Sequence, residues 1–332
     1  MGLQSQKNSQ LYFFTMTATI ILILTSCKKQ DIVPIPQSVE FEQQLSDYAL
    51  YEGNMSDLKP STDAHFYELS SILFSNYAEK QRLVRIPDGT VVTENGNGVP
   101  VFPEGTILVK TFFYYYNASD TAQGKQIIET RLLIKGGGEW NVASYEWNAD
   151  QSDAILRKDG QDKQVSWIDK QGNSRTIDYR IPSQRECVKC HQNNDQLAPL
   201  GPQLRNLNKM VTRDGQNINQ LDHLQTIGIL NNFDFSSISS IPDYQNTNLS
   251  ISERGRAYLD LNCASCHHPN GLSEAAKKGY DFRFETALDD TKIVTKKNKI
   301  IEVMEDGRMP DVGTTIIDEE GLAIIIEYMN SL

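Results

Sequence analysis

Cysteine is scarce in this chain, with five residues in 332. That density excludes a disulfide scaffold for a protein of this length. Basic residues are in deficit as well: 32 Lys and Arg stand against 43 Asp and Glu, for a net charge of −11. Phosphate binding needs a basic face, so no nucleic-acid partner is expected. There is no Gly-rich phosphate loop, no nucleophile elbow and no H-E-x-x-H motif, which removes the commonest nucleotide, acyl-transfer and zinc-protease signatures. Long apolar runs are missing except for Leu11 to Leu24, which is shorter than the ~20 residues of a spanning helix. What remains is an ordinary soluble composition, 39% hydrophobic and 23% charged, with enough length for about two or three domains.

The few cysteines are not scattered. Four of the five fall in two pentapeptides, Cys187-Val188-Lys189-Cys190-His191 and Cys263-Ala264-Ser265-Cys266-His267. C-x-x-C-H is the attachment pattern of c-type haem. Cys187, Cys190, Cys263 and Cys266 would hold two porphyrins covalently, and His191 and His267 would be axial iron ligands, giving two haem c groups. Two C-x-x-C pairs can also build a zinc site. The gap from Cys190 to Cys263 is far longer than the ~15–20 residues that separate the pairs of a zinc ribbon. A thioredoxin-like dithiol would need a βαβ context that the surrounding sequence lacks.

Cys27 stands apart. Lys7 and the run Leu11 to Leu24 form the n- and h-regions of an export signal. Leu24-Thr25-Ser26-Cys27 resembles the bacterial lipobox, in which the cysteine is lipidated and becomes the mature N-terminus. A plain signal peptide or a short membrane anchor is the alternative. The lipobox resemblance implies a signal peptide over 1–26, lipidation at Cys27 and a membrane partner reached through that anchor. Lys28 after the cysteine implies the outer membrane. Residues 27–40, with Pro34 and Pro36, read as a tether. Export also fits c-type haem, which is attached outside the bacterial cytoplasm.

The fold class expected is α+β and multidomain: a β-sandwich or jelly-roll-like domain followed by mostly helical haem segments, the last cytochrome c-like. Residues 41–82 read as helical or mixed, because Phe41, Leu45, Tyr48 and Ala49 recur at helical spacing. Residues 83–182 are β-rich. Strand candidates are Leu83–Ile86, Thr106–Tyr116, Ile127–Ile134, Val142–Trp147, Val165–Ile168 and Arg175–Ile181, punctuated by Asn95-Gly96-Asn97-Gly98 and Gly136-Gly137-Gly138. Trp140, Trp147 and Trp167 are read as core and rim of this domain rather than as a binding face. Residues 183–248 form the first haem segment, partly helical at Leu204–Met210 and Ile218–Leu230, with a linker from Phe233 to Asn248. Residues 249–332 form the second haem domain.

In that last stretch Ser250 and Glu253 are spaced as a capping box. Gly255, Leu259 and Cys263 follow at four-residue steps on one helical face. Asp318 is a sound N-cap for a final helix carrying Leu322, Ile325, Ile326 and Met329. The pattern resembles class I cytochromes c, which have a glycine and an aromatic or aliphatic residue at these offsets before the first haem cysteine. The resemblance implies that Gly255 meets the last helix near Tyr328. It also implies that Arg308-Met309-Pro310-Asp311 is the loop bringing the second axial ligand, Met309. Met304 is the competitor, in a stretch that looks helical. His268 reads as a solvent-facing or propionate-contacting residue.

For the first haem the distal position stays open between His223, Met210, and an open or other site. The whole mature chain resembles a family of bacterial dihaem c-type cytochromes. The likeness is carried by Leu73-Phe74-Ser75-Asn76-Tyr77-Ala78-Glu79-Lys80, Phe102-Pro103-Glu104-Gly105-Thr106, Ile128-Glu129-Thr130-Arg131-Leu132-Leu133, Ile181-Pro182-Ser183 and Gly201-Pro202-Gln203-Leu204-Arg205-Asn206-Leu207-Asn208. It continues through Asn219-Gln220-Leu221, Arg256 to Cys263, Met309-Pro310 and Glu320 to Ala323. The stretch between His267 and Met309 departs from the family by being shorter. The resemblance implies an electron carrier of the bacterial cell envelope with a redox partner protein, more an electron carrier than an enzyme with its own substrate. The rivals are a dihaem oxidoreductase or peroxidase with an open first haem, and a β-sandwich binding lipoprotein whose haems are structural. Lys292, Lys296, Lys297 and Lys299 form a basic cluster that could dock an acidic partner or be a solvated loop.

Overall fold

The computed structural model describes residues 38–193 and 196–332. The expected signal 1–26, Cys27 and nearly all of the 27–40 tether lie outside the described residues. The described residues belong to one compact unit, within which the expected segments 41–82, 83–182, 183–248 and 249–332 all fall. Among the described residues, no helix is long and apolar enough to cross a membrane.

The β-rich half is built from β1 (His65–Phe66), β2 (Glu79–Arg85), β3 (Ile107–Tyr115), β4 (Lys125–Gly136), β5 (Glu139–Trp147) and β6 (Ala154–Arg157), which pair antiparallel in that order. Branched and aromatic side chains dominate β3 and β4, as a pleated surface buried on both faces requires. Gly137 and Gly138, both at positive φ (65° and 81°), close the two-residue turn from β4 to β5. Neighbours in sequence are neighbours in the sheet, so this is a meander. A jelly roll needs Greek-key crossovers, and the six strands contain none. A separate hairpin, β7 (Gln161–Ile168) with β8 (Ser174–Ile181), packs on one face of the sheet.

Alternation along the strands gives the sheet two buried faces. Leu83, Val109, Leu132 and Ala143 form one row of the first face. That face is covered by residues expected to be helical or mixed: Leu45, Leu50, Leu58 and Ala64. Leu45 lies on a 3-10 turn, Leu45–Tyr48, Leu58 caps a second, Met55–Asp57, and Leu50 and Ala64 lie in irregular chain; none of the four is on an α-helix. The left-handed backbone of Ala49 (φ 49°) stops the first turn, and Gln44 bridges to Ile155 on β6. Ser38, near the end of the expected tether, is also fixed, its backbone N–H donating to Asn141 Oδ1 at 2.8 Å.

The second face carries Phe112, Tyr114 and Ile128, which pack on Val165, Trp167, Ile177 and Tyr179 of the hairpin. Ile128 is the extra residue where the β3–β4 register shifts. Further along the same face, Val84 and Leu108 meet Leu204, Leu207, Leu224 and Leu230 around a small apolar cavity. The three tryptophans are buried core residues; Trp147 donates to Thr130 Oγ1 at 2.9 Å.

After the hairpin come α1 (Gln184–His191), the short pair β9 (Gln192–Asn193) and β10 (Gln196–Leu197), and α2 (Leu204–Leu207). They are followed by the hairpin β11 (Met210–Arg213) and β12 (Gln216–Asn219), and by α3 (Gln220–Thr226). The expected linker 233–248 is short of regular elements but not free: Ile241 and Tyr244 enter the C-terminal core. That core is made by α4 (Ile251–Asn262), α5 (Ser273–Ala276), α6 (Ile293–Glu305) and α7 (Glu319–Ser331). The loop before β2 reaches it directly. The Phe74 backbone N–H donates to Asn262 Oδ1 at 2.8 Å, and Asn76 exchanges bonds with Thr315 at 2.9 and 3.0 Å.

Candidate haem-binding sites

The first motif lies on α1. Ser183 starts this helix with a reciprocal capping box: the Glu186 N–H donates to Ser183 Oγ at 3.3 Å, and the Ser183 N–H donates to Glu186 Oε2 at 2.7 Å. The helix lies on β5. Gln184 donates to the Val142 carbonyl at 3.3 Å, and Ser144 Oγ is 3.7 Å from the sulfur of Cys187, which is buried. His191 closes the helix with its Nδ1 2.9 Å from the Ala198 carbonyl. That bond fixes the tautomer and leaves Nε2 for a metal. Burial holds the His191 imidazole down to about 4, despite the Ala198 bond, and Lys110 and Arg131 add to the effect. A neutral imidazole oriented by a carbonyl is what axial ligation of iron needs.

The second motif follows α4, whose Ser250–Glu253 capping box forms as the spacing predicts. Asp318 likewise caps α7, accepting from the Gly321 N–H at 2.9 Å. The two helices cross through a reciprocal pair of glycines. A Cβ on Gly255 would stand 2.6 Å from the Cβ of Tyr328 and overlap its ring, and a Cβ on Gly321 would overlap the ring of Tyr258. Tyr258 then donates to Asp318 Oδ2 at 3.0 Å. Beyond the crossing, the His267 ring sits with its centroid 5.5 Å from each of Tyr280 and Phe282. Its Nδ1 is buried without a partner, and burial holds its imidazole down to about 4.

Met304 is 6% exposed and belongs to the helical core. Met309 is half-buried in the loop after α6, with its N–H donating to the Val303 carbonyl at 2.9 Å and a cis bond to Pro310. Its thioether, unlike that of Met304, is not committed to the core cluster.

The two motifs are neighbours. Lys189, between the cysteines of the first, pairs with Asp311, two residues past Met309, at 3.0 Å. The Cys190 and Cys266 thiols are close enough for charge on one to act on the other, and both Asp311 and Lys189 act on Cys266. Burial raises all four thiols, Cys190 and Cys263 to about 12. Thiols held neutral are poor nucleophiles, which disfavours dithiol exchange. Among the described residues, no three His, Cys, Asp or Glu side chains converge on a point that could hold a bare metal ion. A zinc site would need such a convergence. Two thiols flanking an imidazole with a free nitrogen suit a porphyrin that brings its own iron ligands.

His223 and Met210 lie on other elements than His191, on α3 and β11. Met210 is 53% exposed on β11. His223 lies on α3, where the charged groups around it are Arg213, Asp214, His65 and Asp222. Those acting on His191 are Lys110 and Arg131. His268 is half-buried and accepts from the Asn270 N–H at 3.3 Å. Of the basic cluster, Lys292 and Lys297 donate to carbonyls and Lys299 pairs with Glu302, while Lys296 is exposed.

A family model described as Cytochrome c matches residues 252–332. The C-terminal segment is a cytochrome c domain. It begins inside α4, ends with the chain, and includes Cys263, Cys266, His267 and Met309. Covalently bound haem c is the cofactor of such a domain. The cytochrome c domain accounts for one of the two motifs; the first lies outside the matched stretch. No match to a curated protein or to a solved structure was found for the chain.

Several residues around the first motif belong to no sequence motif. Ser144, the Ala198 carbonyl, Asp311, and Lys110 with Arg131 come from distant parts of the chain. The only hint in the sequence is a charged residue set inside an apolar strand, as Lys110 is between Val109 and Thr111 and Arg131 between Thr130 and Leu132.

Proposed function

We propose that the chain is a dihaem c-type cytochrome that carries electrons at the bacterial cell envelope, anchored in the outer membrane by a lipid on Cys27, and exchanges them with a redox partner protein. In this reading Cys187, Cys190, Cys263 and Cys266 hold two haem c groups, His191 and His267 are axial ligands, and Met309 is the second ligand of the C-terminal haem. Each haem, when bound, supplies a one-electron Fe(III)/Fe(II) change. The chain's part is to set potential and exposure. His191 is oriented by Ala198, His267 packs against the stacked rings of Tyr280 and Phe282, and thioether ligation by Met309 would raise the potential relative to bis-histidine ligation.

The observation that carries this reading is the Lys189–Asp311 pair, which joins the first motif to the Met309 loop of the cytochrome c domain. Two redox groups held side by side in one compact unit suit relay of an electron from one to the other. A pyridine haemochrome assay on the protein matured in an exporting bacterium tests it. Two haems per chain are expected; bound zinc without haem would overturn the reading, and a single haem would overturn its dihaem form.

A second reading, a dihaem oxidoreductase with an open first haem, is favoured by the surroundings of the two candidate distal ligands: Met210 is exposed, and the charges acting on His223 are not those acting on His191. An open iron binds small ligands where a six-coordinate one does not. Carbon monoxide added to the reduced protein separates the two: a shifted absorption band from one haem indicates the oxidoreductase, and no shift indicates the carrier.

A further inference from the structure

The middle of the sheet's second face carries charge that the strands themselves do not explain. The register sets Arg82 opposite Lys110, Lys110 opposite Arg131, and Arg131 opposite Ser144. Lys80 shares the face, two residues along β2 from Arg82. Like charges placed directly across a ladder repel, and here three follow one another. Arg131 has its counter-charge: it forks onto Glu129, with Nε donating to Oε2 at 3.0 Å, and Glu129 also accepts from the Tyr179 hydroxyl at 2.6 Å. The other three have none. Among the described residues, no carboxylate lies within ion-pair distance of Lys80, Arg82 or Lys110.

The groups around them do not close the gap. Glu79 and Asp318 act on Lys80, Tyr67 and Glu68 on Arg82, and Glu129, already bonded, on Lys110. The Lys110 ammonium rests over the Phe112 ring at 4.7 Å, and the Arg131 guanidinium shares that ring at 4.5 Å. Burial holds Lys80 down to about 7 and Lys110 well below its ordinary value. A buried charge is stable when it is paired. Arg82 and two lysines that burial pushes towards their neutral form thus share one protected face without a carboxylate partner, and an anion from outside the polypeptide would pair with Arg82 and restore charge to the lysines.

What lies beside the row says which anion. Ser144, the next position after Arg131, is 3.7 Å from the Cys187 sulfur. Lys110 and Arg131 both act on Cys190 and His191. The row therefore borders the first C-x-x-C-H motif. A haem held there would bring two carboxylates, its propionates.

We infer that Lys80, Arg82 and Lys110 are the seat of the propionates of the haem held by Cys187, Cys190 and His191. The inference rests on the dihaem reading. It makes the β-sheet part of the first haem site and assigns these residues as positioning and potential-setting groups. A dissolved oxyanion has the same recognition chemistry as a propionate, and the test distinguishes the two sources.

The experiment uses the full-length holoprotein and the variants Lys110→Met and Arg82→Met, with Lys110→Arg and Arg82→Lys as charge-keeping controls. Haem is counted first; a count of one in the unaltered protein would remove the dihaem reading itself, separately from this inference. With two haems present, a redox titration followed by absorption resolves two midpoints. Removing a cation beside one haem disfavours its reduced, less positive state. One midpoint should fall in each Met variant, the other should stay, and the charge-keeping variants should restore the first. Loss of one haem from the Met variants, with retention in the charge-keeping variants, would equally support the seat. Inorganic phosphate should move neither midpoint of the unaltered protein. Two haems with both midpoints unmoved in the Met variants would overturn the inference. So would a saturable phosphate shift in the unaltered protein that the Met variants lose, which would make the row a site for dissolved oxyanions.

Discussion

The two C-x-x-C-H motifs sit at helices begun by the same device, Ser183 with Glu186 and Ser250 with Glu253, yet they are housed differently. The second is enclosed by the helices of one continuous stretch, with α4 crossing α7 through Gly255 and Gly321. The first has no comparable helical enclosure of its own. Its helix leans on β5, its cysteine meets a serine 43 residues upstream, and its imidazole lies near charges on β3 and β4. A C-x-x-C-H motif fixes where a haem is attached; the walls come from whatever the fold brings there. One site is a local unit and the other is an assembly.

If that contrast is correct, damage between the segments should harm the protein more than damage within either. A buried tie between them is Arg205, just after the start of α2, which bonds both carboxylate oxygens of Asp260 on α4 at 2.8 and 3.0 Å and also pairs with Glu285, whereas the Lys189–Asp311 pair is solvent-facing. Arg205 and Asp260 side chains are 7% and 5% exposed. Removing one partner of a buried pair costs about 3–5 kcal/mol, because the other is left uncompensated. Asp260 is already pushed up by burial, against the pull of Arg205, so it would take up a proton in Arg205→Met and hold the cost towards the lower figure. Thermal unfolding followed by far-UV circular dichroism and haem absorbance should show one transition at a markedly lower temperature. Unfolding of the first site alone, with the cytochrome c domain unchanged, would break the picture of an assembly.

A smaller effect, confined to one side, is expected at the helix crossing. Gly255→Ala places a methyl group against the Cβ and ring of Tyr328, atoms too close to the backbone to swing aside. Overpacking of this kind costs about 1–3 kcal/mol. The absorption signature of the C-terminal haem should weaken or change on gentle warming while that of the first haem persists. Equal loss from both would show that the cytochrome c domain is no more self-contained than its neighbour.

The parts of the molecule that were legible in the sequence are those whose signals are local. Both the Ser250–Glu253 box and the Asp318 cap depend on contacts three residues apart, and both form. The Gly255–Tyr328 contact is distant in sequence but was reached through resemblance to a known helix pair. Strands β3, β4, β5, β7 and β8 follow runs of branched and aromatic residues. In residues 41–50 the helical spacing of Phe41, Leu45 and Tyr48 corresponds to a single 3-10 turn, because the same spacing suits a chain that dips repeatedly into a sheet; Leu45 is fully buried there. The row Arg82, Lys110 and Arg131 was invisible because it exists only across strands, through register, and no window along the chain contains it.

The finest test compares the two capping boxes under acid. Glu186 sits below its ordinary value of 4.5: burial pushes it up, but bonds from the Ser183 N–H and hydroxyl and from Arg180 outweigh that push. Glu253 is also lowered, by the Ser250 hydroxyl and backbone N–H. A carboxyl whose folded value lies below its unfolded one contributes stability that is complete above the unfolded value and is lost as pH falls through the folded one. Both boxes therefore weaken on the acid side of 4.5. They differ in surroundings, since Glu186 is partly buried and held by Arg180 while Glu253 stands in solvent, where its pairings are screened. Glu186→Gln should flatten the acid limb of the stability profile and Glu253→Gln should leave it nearly unchanged, read as the pH midpoint of unfolding at fixed temperature. Equal flattening by the two would mean that the first helix depends on its cap no more than the second, and that its dependence on the sheet reaches no further than the cysteine it presents.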